Sequence, residues 1–383
     1  MRRRRFVVQL GGGVLASSVA ACARTFRIPL SVMAAPSGGP GGELDPVGIW
    51  RDGAAYARWT PSPHNTQPWR LRVRSPERGE LYYDPRRLLP TTDPTGAFTM
   101  MGLAMFAEYL SLAVRPHGVT LKTNIIEQPL DYSATRPVLF ATLDLLPTAA
   151  SPAFDRQLIL ERKTSRLPYD GRPVEAPAMS ALGALAHAPG HHMAWSSDPE
   201  FVRWAIELNR FTLFSDLDDA PTRRELSKWM RFTDQEAAAQ NDGLWSHCLH
   251  MPGRILRGFF EDHAKWGRGW RANLCGRMLV HSMKGTSTVA WWSGPFTTPA
   301  DWISAGRVLG SSWLELTRRG VQMHPFGSII TNPRAHAQLR DKVGAPEGSK
   351  QLWLMARLGR SATPPRSYRV PEPAVFLDDH ELS

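Results

Sequence analysis

The spacing of apolar residues predicts helices and strands along the whole chain. Leu103, Phe106, Leu110 and Val114 recur at helical spacing and predict a long helix over residues 98–114. A second long helix is predicted over residues 300–319, where Gly320 ends it. Other helices are predicted over residues 46–59, 154–163 and most of 199–277, and strands over residues 69–73, 119–126, 138–146, 288–292 and 352–358.

The two long helices share a pattern that suggests an internal repeat. A shift of 202 residues places Gly118 on Gly320 and Ala104 on Gly306. Small residues at such positions allow two helix backbones to approach closely, and each helix is followed at once by a short strand or turn. We interpret the pattern as two related halves that pack about a pseudo-twofold axis.

The most distinctive polar segment runs from Pro61 to Trp69, with the sequence Pro-Ser-Pro-His-Asn-Thr-Gln-Pro-Trp. Its prolines fix φ and remove backbone donors, so the segment is predicted to be a rigid loop. Hydroxyl, imidazole and amide side chains between the prolines could hold a planar, polar ligand in one orientation. The alternative is a capped turn that precedes an edge strand.

Charge excludes one class of function and leaves another open. The chain has 383 residues with 46 Lys and Arg against 35 Asp and Glu, a net charge of +11. Removing residues 1–21, which hold four arginines, leaves 42 basic against 35 acidic residues, a net +7. Because no long Lys/Arg run remains, we expect no nucleic-acid partner. The excess suits an anionic ligand such as a phosphate.

The N-terminus predicts export. Arg3-Arg4-Arg5-Phe6-Val7 matches a twin-arginine signal, and a weakly apolar stretch over residues 7–21 follows it. Val-Ala-Ala before Cys22 resembles a lipobox, so Cys22 is a candidate lipid anchor; plain cleavage after Ala21 is the alternative. Residues 1–21 are therefore predicted to be a signal peptide and residues 22–45 a flexible tether. The expected location is the periplasm or the cell envelope.

Three other segments could carry chemistry. Arg162, Thr164 and Arg166 lie at alternate positions where a helix gives way to a loop, an arrangement that suits a phosphate or a solvated helix end. Residues 324–328 form a compact loop after the second long helix, and residues 366–369 add two arginines after the last strand, either as part of a site or as a solvated tail.

Histidines and cysteines do not form a recognisable metal motif. His247 and His250 lack a carboxylate partner, and no His/Cys spacing matches zinc, so no metal site is predicted. Cys248 and Cys275 could pair in an oxidising compartment or remain free thiols.

Taken together, these segments resemble the nitroreductase superfamily, in particular its two-repeat, Acg-type branch of FMN-binding oxidoreductases. The match rests on Pro-Ser-x-x-Asn-x-Gln-Pro-Trp at residues 61–69, Arg-x-Thr-x-Arg at 162–166 with Tyr169, the helix ending at Gly320, and Arg369-Val370-Pro371. It implies an α+β sandwich of two fused half-repeats that mimic the family homodimer. The first repeat would span residues 46–150 and the second residues 151–376, with a helical insertion at about 190–290.

The resemblance also implies the cofactor and its ligands. FMN would bind through its phosphate to Arg162, Thr164, Arg166 and Arg369. The loop residues Pro61, Ser62 and Asn65 would approach the isoalloxazine ring, as would Phe326 and Gly327, although the family commonly has an acidic residue where this chain has Phe326. No side chain is assigned a catalytic role, since the flavin carries the chemistry.

The distribution of these motifs predicts one site. The Pro-Ser-x-x-Asn loop occurs in the first half and the Arg-x-Thr-x-Arg segment in the second, so a monomeric chain would bind one FMN. The expected function is electron transfer to an electrophilic small molecule such as a nitroaromatic or a quinone. The alternatives are an exported protein that stores FMN with little turnover, and an envelope lipoprotein that has lost the cofactor.

Overall fold

The fold was analysed in a computed structural model that describes residues 46–345 and 350–382. The predicted signal peptide and tether, residues 1–45, lie outside the described residues. Within the described chain, helices and antiparallel sheets are both present, which confirms the predicted α+β class.

The first half is a four-stranded antiparallel sheet with one long helix. Its sheet has the order β1-β2-β4-β3, and α2 connects β2 to β3. The elements are α1 (Pro46–Ala57), β1 (Trp69–Ser75), β2 (Arg78–Tyr83), α2 (Ala97–Val114), β3 (Val119–Ile125) and β4 (Val138–Pro147).

The second half contains another four-stranded antiparallel sheet, of order β5-β8-β10-β9, with a helical insertion between β5 and β8. Its elements up to the insertion are α3 (Gln157–Glu161), α4 (Ala176–His187) and β5 (His192–Ser196). The insertion contains α5 (Pro199–Asp218), α6 (Ala220–Trp229), β6 (Met230–Arg231), α7 (Asp234–Gln240), β7 (Leu244–Trp245), α8 (Gly253–Glu261), α9 (His263–Trp266) and α10 (Gly269–Ser282). The half ends with β8 (Thr288–Pro295), α11 (Pro299–Arg318), β9 (Gln322–Pro325), α12 (Gly327–Thr331), α13 (Pro333–Val343) and β10 (Lys350–Gly359).

The two halves have the same topology. Each sheet places its strands in the order first, second, fourth, third, and each long helix connects the second strand to the third. The long helices begin at Ala97 and Pro299, which are 202 positions apart. Gly118 and Gly320 both adopt a positive φ, 72° and 67°, where a side chain would be strained. This symmetry supports the internal repeat, which stays a prediction.

The two long helices form the centre of the molecule. Tyr109 of α2 donates a hydrogen bond to the Gly310 carbonyl of α11 at 3.1 Å. At Gly306 a Cβ atom would lie only 2.5 Å from the Met101 carbonyl oxygen, so the backbones touch there. The segment Ala97–His117 is long and apolar enough to cross a membrane by length and composition, but 78% of its most apolar window is buried inside the protein.

A C-terminal segment, residues 360–382, leaves β10 and crosses back to the first half. The Leu377 N–H donates to the Leu71 carbonyl at 2.7 Å, and Phe376 forms a parallel bridge with Leu71 of β1. Glu381 pairs with Arg70 at 2.8 Å. Residues 366–369 are therefore not a solvated tail: Tyr368 and Arg369 are buried between the halves.

Several elements were not predicted from the sequence. Strand β2 was not predicted, and it contains Gly79 and Glu80, which are poor strand formers. The Trp50 ring lies where a side chain at position 79 would point. A Cβ atom on Gly79 would be only 2.9 Å from that ring, so tertiary packing requires glycine at this position. Helices α4 and α13 and strand β5 were also missed, and the helix predicted over residues 154–163 is shorter, Gln157–Glu161.

Candidate functional site

The loop from Pro61 to Trp69 is held in an unusual backbone conformation. His64, Asn65 and Gln67 have φ values of 47°, 57° and 52°, a region that non-glycine residues seldom adopt. The Ser62 hydroxyl accepts a hydrogen bond from the Gln67 N–H at 2.9 Å, which fixes the loop from within. Such a concentration of strain is typical of ligand-binding segments.

Two amide side chains connect this loop to distant parts of the chain. The Asn65 Nδ2 donates to the carbonyls of Gly243 at 3.1 Å and Tyr368 at 3.2 Å. The Gln67 Oε1 accepts from the Val370 N–H at 2.9 Å, and its Nε2 donates to the Asn241 carbonyl at 3.0 Å. The loop is thus the junction of the helical insertion and the C-terminal segment, directly beside Arg369.

Four arginines lie around Trp59, just before this loop; we call them the arginine cluster (Arg58, Arg162, Arg366 and Arg369). Three of them surround the Trp59 ring, with their Cζ atoms 4.3 Å (Arg366), 4.9 Å (Arg58) and 5.6 Å (Arg369) from its centroid. The Arg162 Nη2 donates to the Trp59 carbonyl at 3.1 Å. Segments more than 300 positions apart therefore meet at one tryptophan.

Arg162 and Arg369 have buried donors that make no hydrogen bond within the described residues. Arg162 and Arg369 are each 6% exposed. The Nε and Nη1 of Arg162 and the Nε of Arg369 are buried and make no hydrogen bond within the described residues. A buried guanidinium with unused donors is costly, because its charge is desolvated without compensation. These donors are therefore positioned for an anionic ligand.

The electrostatics of the cluster point to the same ligand class. Burial lowers the pKa of Arg162 and of Arg366 to about 10, and it also lowers the pKa of Arg369. Neighbouring arginines lower all three further, so like charges face one another. Among the described residues, Glu372 beside Arg58 is the carboxylate that acts on the cluster. Because the guanidinium groups stay protonated at neutral pH, the cluster keeps a positive charge that suits an anionic ligand.

Arg357 was not predicted, and it fixes the segment that carries Arg162 and Arg166. It is fully buried in β10, and its Nη2 donates to the carbonyls of Ser165 at 3.2 Å and Leu167 at 3.0 Å. Its Nε donates to the Nδ1 of His324 at 3.1 Å, so His324 is neutral with its proton on Nε2. A single arginine within the apolar run of β10 was the available sequence signal.

The remaining predicted ligands lie next to this segment. Thr164 forms a parallel bridge with Met323 of β9, which places Arg162–Arg166 beside the loop that contains Phe326 and Gly327. Phe326 is 1% exposed and lies in a hydrophobic core of the second half. Its N–H donates to the Met355 carbonyl at 2.8 Å. Gly327 has open space where a side chain would lie. The roles of Phe326 and Gly327 in binding stay predictions.

In the described part of the chain, the thiols and histidines do not build a metal site. No group of three or more His, Cys, Asp or Glu side chains that could hold a metal occurs there. Cys248 and Cys275 are both free and buried, so they do not form a disulfide. Burial raises the pKa of both thiols, although Arg166 and Arg369 partly offset this effect at Cys248.

Two open grooves lie away from the arginine cluster. One, of about 670 Å³, lies between α5 and α10, and the other, of about 600 Å³, adjoins Phe154. Each lining includes a carboxylate, Glu207 or Asp155, beside its arginines. The concentration of uncompensated positive charge therefore distinguishes the cluster from these larger openings.

Buried histidines make the stability of the protein depend on pH. Burial lowers the pKa of His64 and of His250 from 6.5 to about 4. Because the pKa of each histidine is lower in the folded state than in the unfolded state, the fold loses stability as pH falls from about 6.5 to about 4. Above pH 6.5 these histidines do not make stability depend on pH. The lowering at His64, from 6.5 to about 4, is equivalent to at most about 3 kcal/mol.

We therefore expect the urea midpoint to fall steeply between pH 6.5 and 4, and the fall to be shallower in His64→Gln. His187→Gln, on the last turn of α4, is the control and should leave the slope unchanged. Equal slopes in wild type and His64→Gln would contradict the assignment.

Comparison with known proteins identifies the family of the chain. No protein-family model matches the chain. "Probable NAD(P)H nitroreductase PigM" of a Serratia species is 26% identical over 312 residues, 75% of this chain and 82% of that protein. Rv3127 of Mycobacterium tuberculosis is 30% identical over 276 residues, 68% of this chain and 73% of that protein. "Putative NAD(P)H nitroreductase acg" of the same bacterium is 29% identical over 116 residues, 30% of this chain and 33% of that protein.

Among solved structures, the FMN- and NADPH-dependent nitroreductase NfnB of Sphigopyxis sp. strain HMH is similar to this chain with a TM-score of 0.35. It is 13% identical, and the match covers 58% of this chain and 96% of NfnB. The matches to PigM and Rv3127 each cover more than two thirds of this chain and of the relative. The chain therefore belongs to the nitroreductase superfamily.

Proposed function

We propose that this protein is an FMN-binding oxidoreductase of nitroreductase type. The observation that carries the proposal is the pair of buried arginines, Arg162 and Arg369, which both contact Trp59 and keep buried donors without a hydrogen-bond partner in the described chain. A phosphate dianion would satisfy those donors with charge-assisted hydrogen bonds. The relatives named as NAD(P)H nitroreductases support the same reaction class.

The residues present fit FMN. Arg162 and Arg369 would hold the phosphate, with Arg166 and Thr164 next to them. The strained loop would lie along the ring system, where Asn65 keeps a buried Oδ1 without a hydrogen-bond partner among the described residues. When bound, FMN supplies the electron transfer to an electrophilic small molecule, for which nitroaromatics and quinones are the proposed class.

The contribution of the chain is to bind, orient and exclude water. The Trp59 ring and the Arg357 hydrogen bonds hold the phosphate ligands in place before FMN binds. Binding therefore costs little side-chain conformational entropy. The segment Asn241–Gly243 covers the loop through its bonds to Gln67 and Asn65. Trp245 contacts Tyr368 in a tilted arrangement, with ring centroids 5.2 Å apart. We assign no side chain as an acid or base.

The test is to purify the mature chain and measure its flavin content. We expect one FMN per chain in a monomer, because the loop and the Arg162–Arg166 segment each occur once. A ratio of two would contradict the single site, and a colourless protein that does not take up FMN would overturn the proposal.

A storage protein is the second candidate. The cover formed by Asn241–Trp245 favours it, since a covered flavin would exchange and react slowly. Reduction separates the two functions: rapid bleaching of the flavin by NADPH supports the oxidoreductase, whereas bleaching by dithionite alone supports storage.

Export through a twin-arginine signal, with Cys22 as lipid anchor, is part of the proposal and would require an electron donor outside the cytoplasm. Fractionation with lipid labelling, compared with Cys22→Ala, tests that part.

Asn65 provides a local test of the loop. Asn65→Gly keeps the positive φ but removes the hydrogen bonds to Gly243 and Tyr368, at a cost of about 1 kcal/mol each. We expect weaker FMN retention, by roughly tenfold, in a protein that still folds. Asn65→Ala should be less stable by about another 1 kcal/mol because alanine is strained at φ 57°. Unchanged retention in both variants would return the loop to its interpretation as a simple turn.

A further inference from the structure

The helical insertion exposes large apolar side chains on two neighbouring helices. Phe211 of α5 and Trp270 of α10 are each 65% exposed, and Leu274 of α10 is 40% exposed. They are three of the six large apolar side chains that are exposed in the described chain, and the other three lie on separate elements. Single exposed apolar residues are ordinary, whereas a group of them marks a surface that contacts a partner. We call these three residues the apolar patch.

The groove of about 670 Å³ between α5 and α10 brings the parts of the patch together. Glu207 of α5 and Arg277 of α10 both line this groove. Phe211 lies one turn after Glu207 on the same face of α5, and Leu274 lies about one turn before the arginine on α10. At Gly276 a Cβ atom would be 3.5 Å from a side chain of α5, so the two helices are in contact. The patch therefore borders one opening from both helices.

The surface around the patch is positively charged. From residue 263 to residue 300 the chain contains no Asp or Glu. Within the part of the chain that the structure describes, the cations next to the patch make no ion pair, whereas Glu207 at the groove is already paired with Arg210 at 2.7 Å. Residues 263–284, which include α10, hold five such cations: Lys265, Arg268, Arg271, Arg277 and Lys284.

Apolar and cationic groups are in direct contact at the start of α10. The Cζ atom of Arg271 lies 4.6 Å from the ring centroid of Trp270 and 5.6 Å from that of Trp266. An arginine in this position covers apolar surface with its stem and keeps its charge in water. Tryptophan, phenylalanine and leucine beside arginine and lysine are the composition of helices that lie in the interface of a membrane.

We propose that the apolar patch and the cations of residues 263–284 dock the protein on an anionic phospholipid surface. The three apolar side chains would enter the boundary between headgroups and acyl chains, and the cations would meet the lipid phosphates. A second copy of this chain suits the surface less, because a twofold contact would bring the five cations of each copy together. The proposal goes beyond the proposed function and does not depend on FMN.

The experiment measures vesicle binding of the mature chain with Cys22→Ala, so that no lipid anchor contributes. We expect saturable cosedimentation with vesicles of equal parts phosphatidylcholine and phosphatidylglycerol, and none with phosphatidylcholine alone. Trp270→Gln combined with Leu274→Gln should weaken binding at least about tenfold, because both side chains lose apolar area that the lipid would bury. Trp195→Gln is the matched control: this tryptophan is 44% exposed on β5, and its replacement should leave binding unchanged.

A second variant tests the charge. Arg268→Gln combined with Arg277→Gln replaces two exposed cations and should also weaken binding at least about tenfold. All the substituted side chains of the surface are exposed, so the urea midpoint should stay at the value of the parent chain. No vesicle binding by the parent chain, or equal weakening in Trp195→Gln, would overturn the proposal. Dimerisation without lipid that is lost in the Trp270 and Leu274 variant would assign the patch to a second copy and overturn it too.

Discussion

Replacing Arg162 with methionine should reduce FMN affinity by at least about 100-fold while leaving the fold intact. Arg162 has two buried N–H groups without partners in the described chain, Nε and Nη1. Hydrogen bonds to a charged group contribute about 1.5–3 kcal/mol each, so losing two is equivalent to about 3 kcal/mol or more. Each 1.4 kcal/mol is about tenfold in affinity, which gives the expected loss.

The same substitution should change the stability of the flavin-free protein by no more than about 1 kcal/mol. Removing a buried, uncompensated charge stabilises the folded state. Losing the hydrogen bond to the Trp59 carbonyl and the contact with Trp313 at 4.6 Å destabilises it, and the two effects largely offset one another. Affinity is measured by fluorescence titration with FMN and stability by urea unfolding without it.

Arg156→Met is the matched control, because Arg156 is also largely buried but pairs with Asp52 outside the arginine cluster. Removing it leaves a carboxylate without that partner, so stability should fall by about 1–3 kcal/mol with FMN affinity unchanged. If Arg162→Met retains FMN like wild type, the phosphate does not bind at this cluster.

The local elements of the fold could be predicted because their signals are local. The apolar spacing of α2 and the glycine that follows it define that helix, and the predicted strands at β3, β4 and β8 begin where the structure has them. The Pro61–Trp69 loop and the Arg162–Arg166 segment were identified in the same way, as short runs of unusual chemistry. The structure brings both of them to Trp59.

The rest of the site depends on contacts between distant residues. Arg366 joins the cluster only because the C-terminal segment returns to β1. That return is made by backbone hydrogen bonds such as the one from Leu377 to Leu71, which leave no signal in the sequence. Likewise, Arg357 acts through the carbonyls of Ser165 and Leu167, and no local pattern pairs positions about 190 apart. A single sequence contains the residues of such a network but not their partners.

The close approach of α2 and α11 should make Gly306 intolerant of any side chain. A Cβ at Gly306 would lie 2.5 Å from the carbonyl oxygen and 2.7 Å from the Cα of Met101. Both atoms belong to the backbone, so the helices would have to separate along their shared face. We expect Gly306→Ala to lower the free energy of unfolding by about 3 kcal/mol, measured from the urea midpoint at constant m-value. FMN retention should fall too, because Trp313 of α11 supports Arg162.

Gly183→Ala separates this steric effect from helix propensity. Gly183 lies within α4, and a Cβ there would meet no atom within 4 Å. Alanine is the better helix former by about 0.8–1 kcal/mol, so this variant should be slightly more stable than wild type. The same substitution in two helices is therefore expected to have opposite signs. Equal stability of Gly306→Ala and Gly183→Ala would mean that the two long helices do not touch at Gly306. That result would contradict the packing of the two halves through Met101 and Gly310.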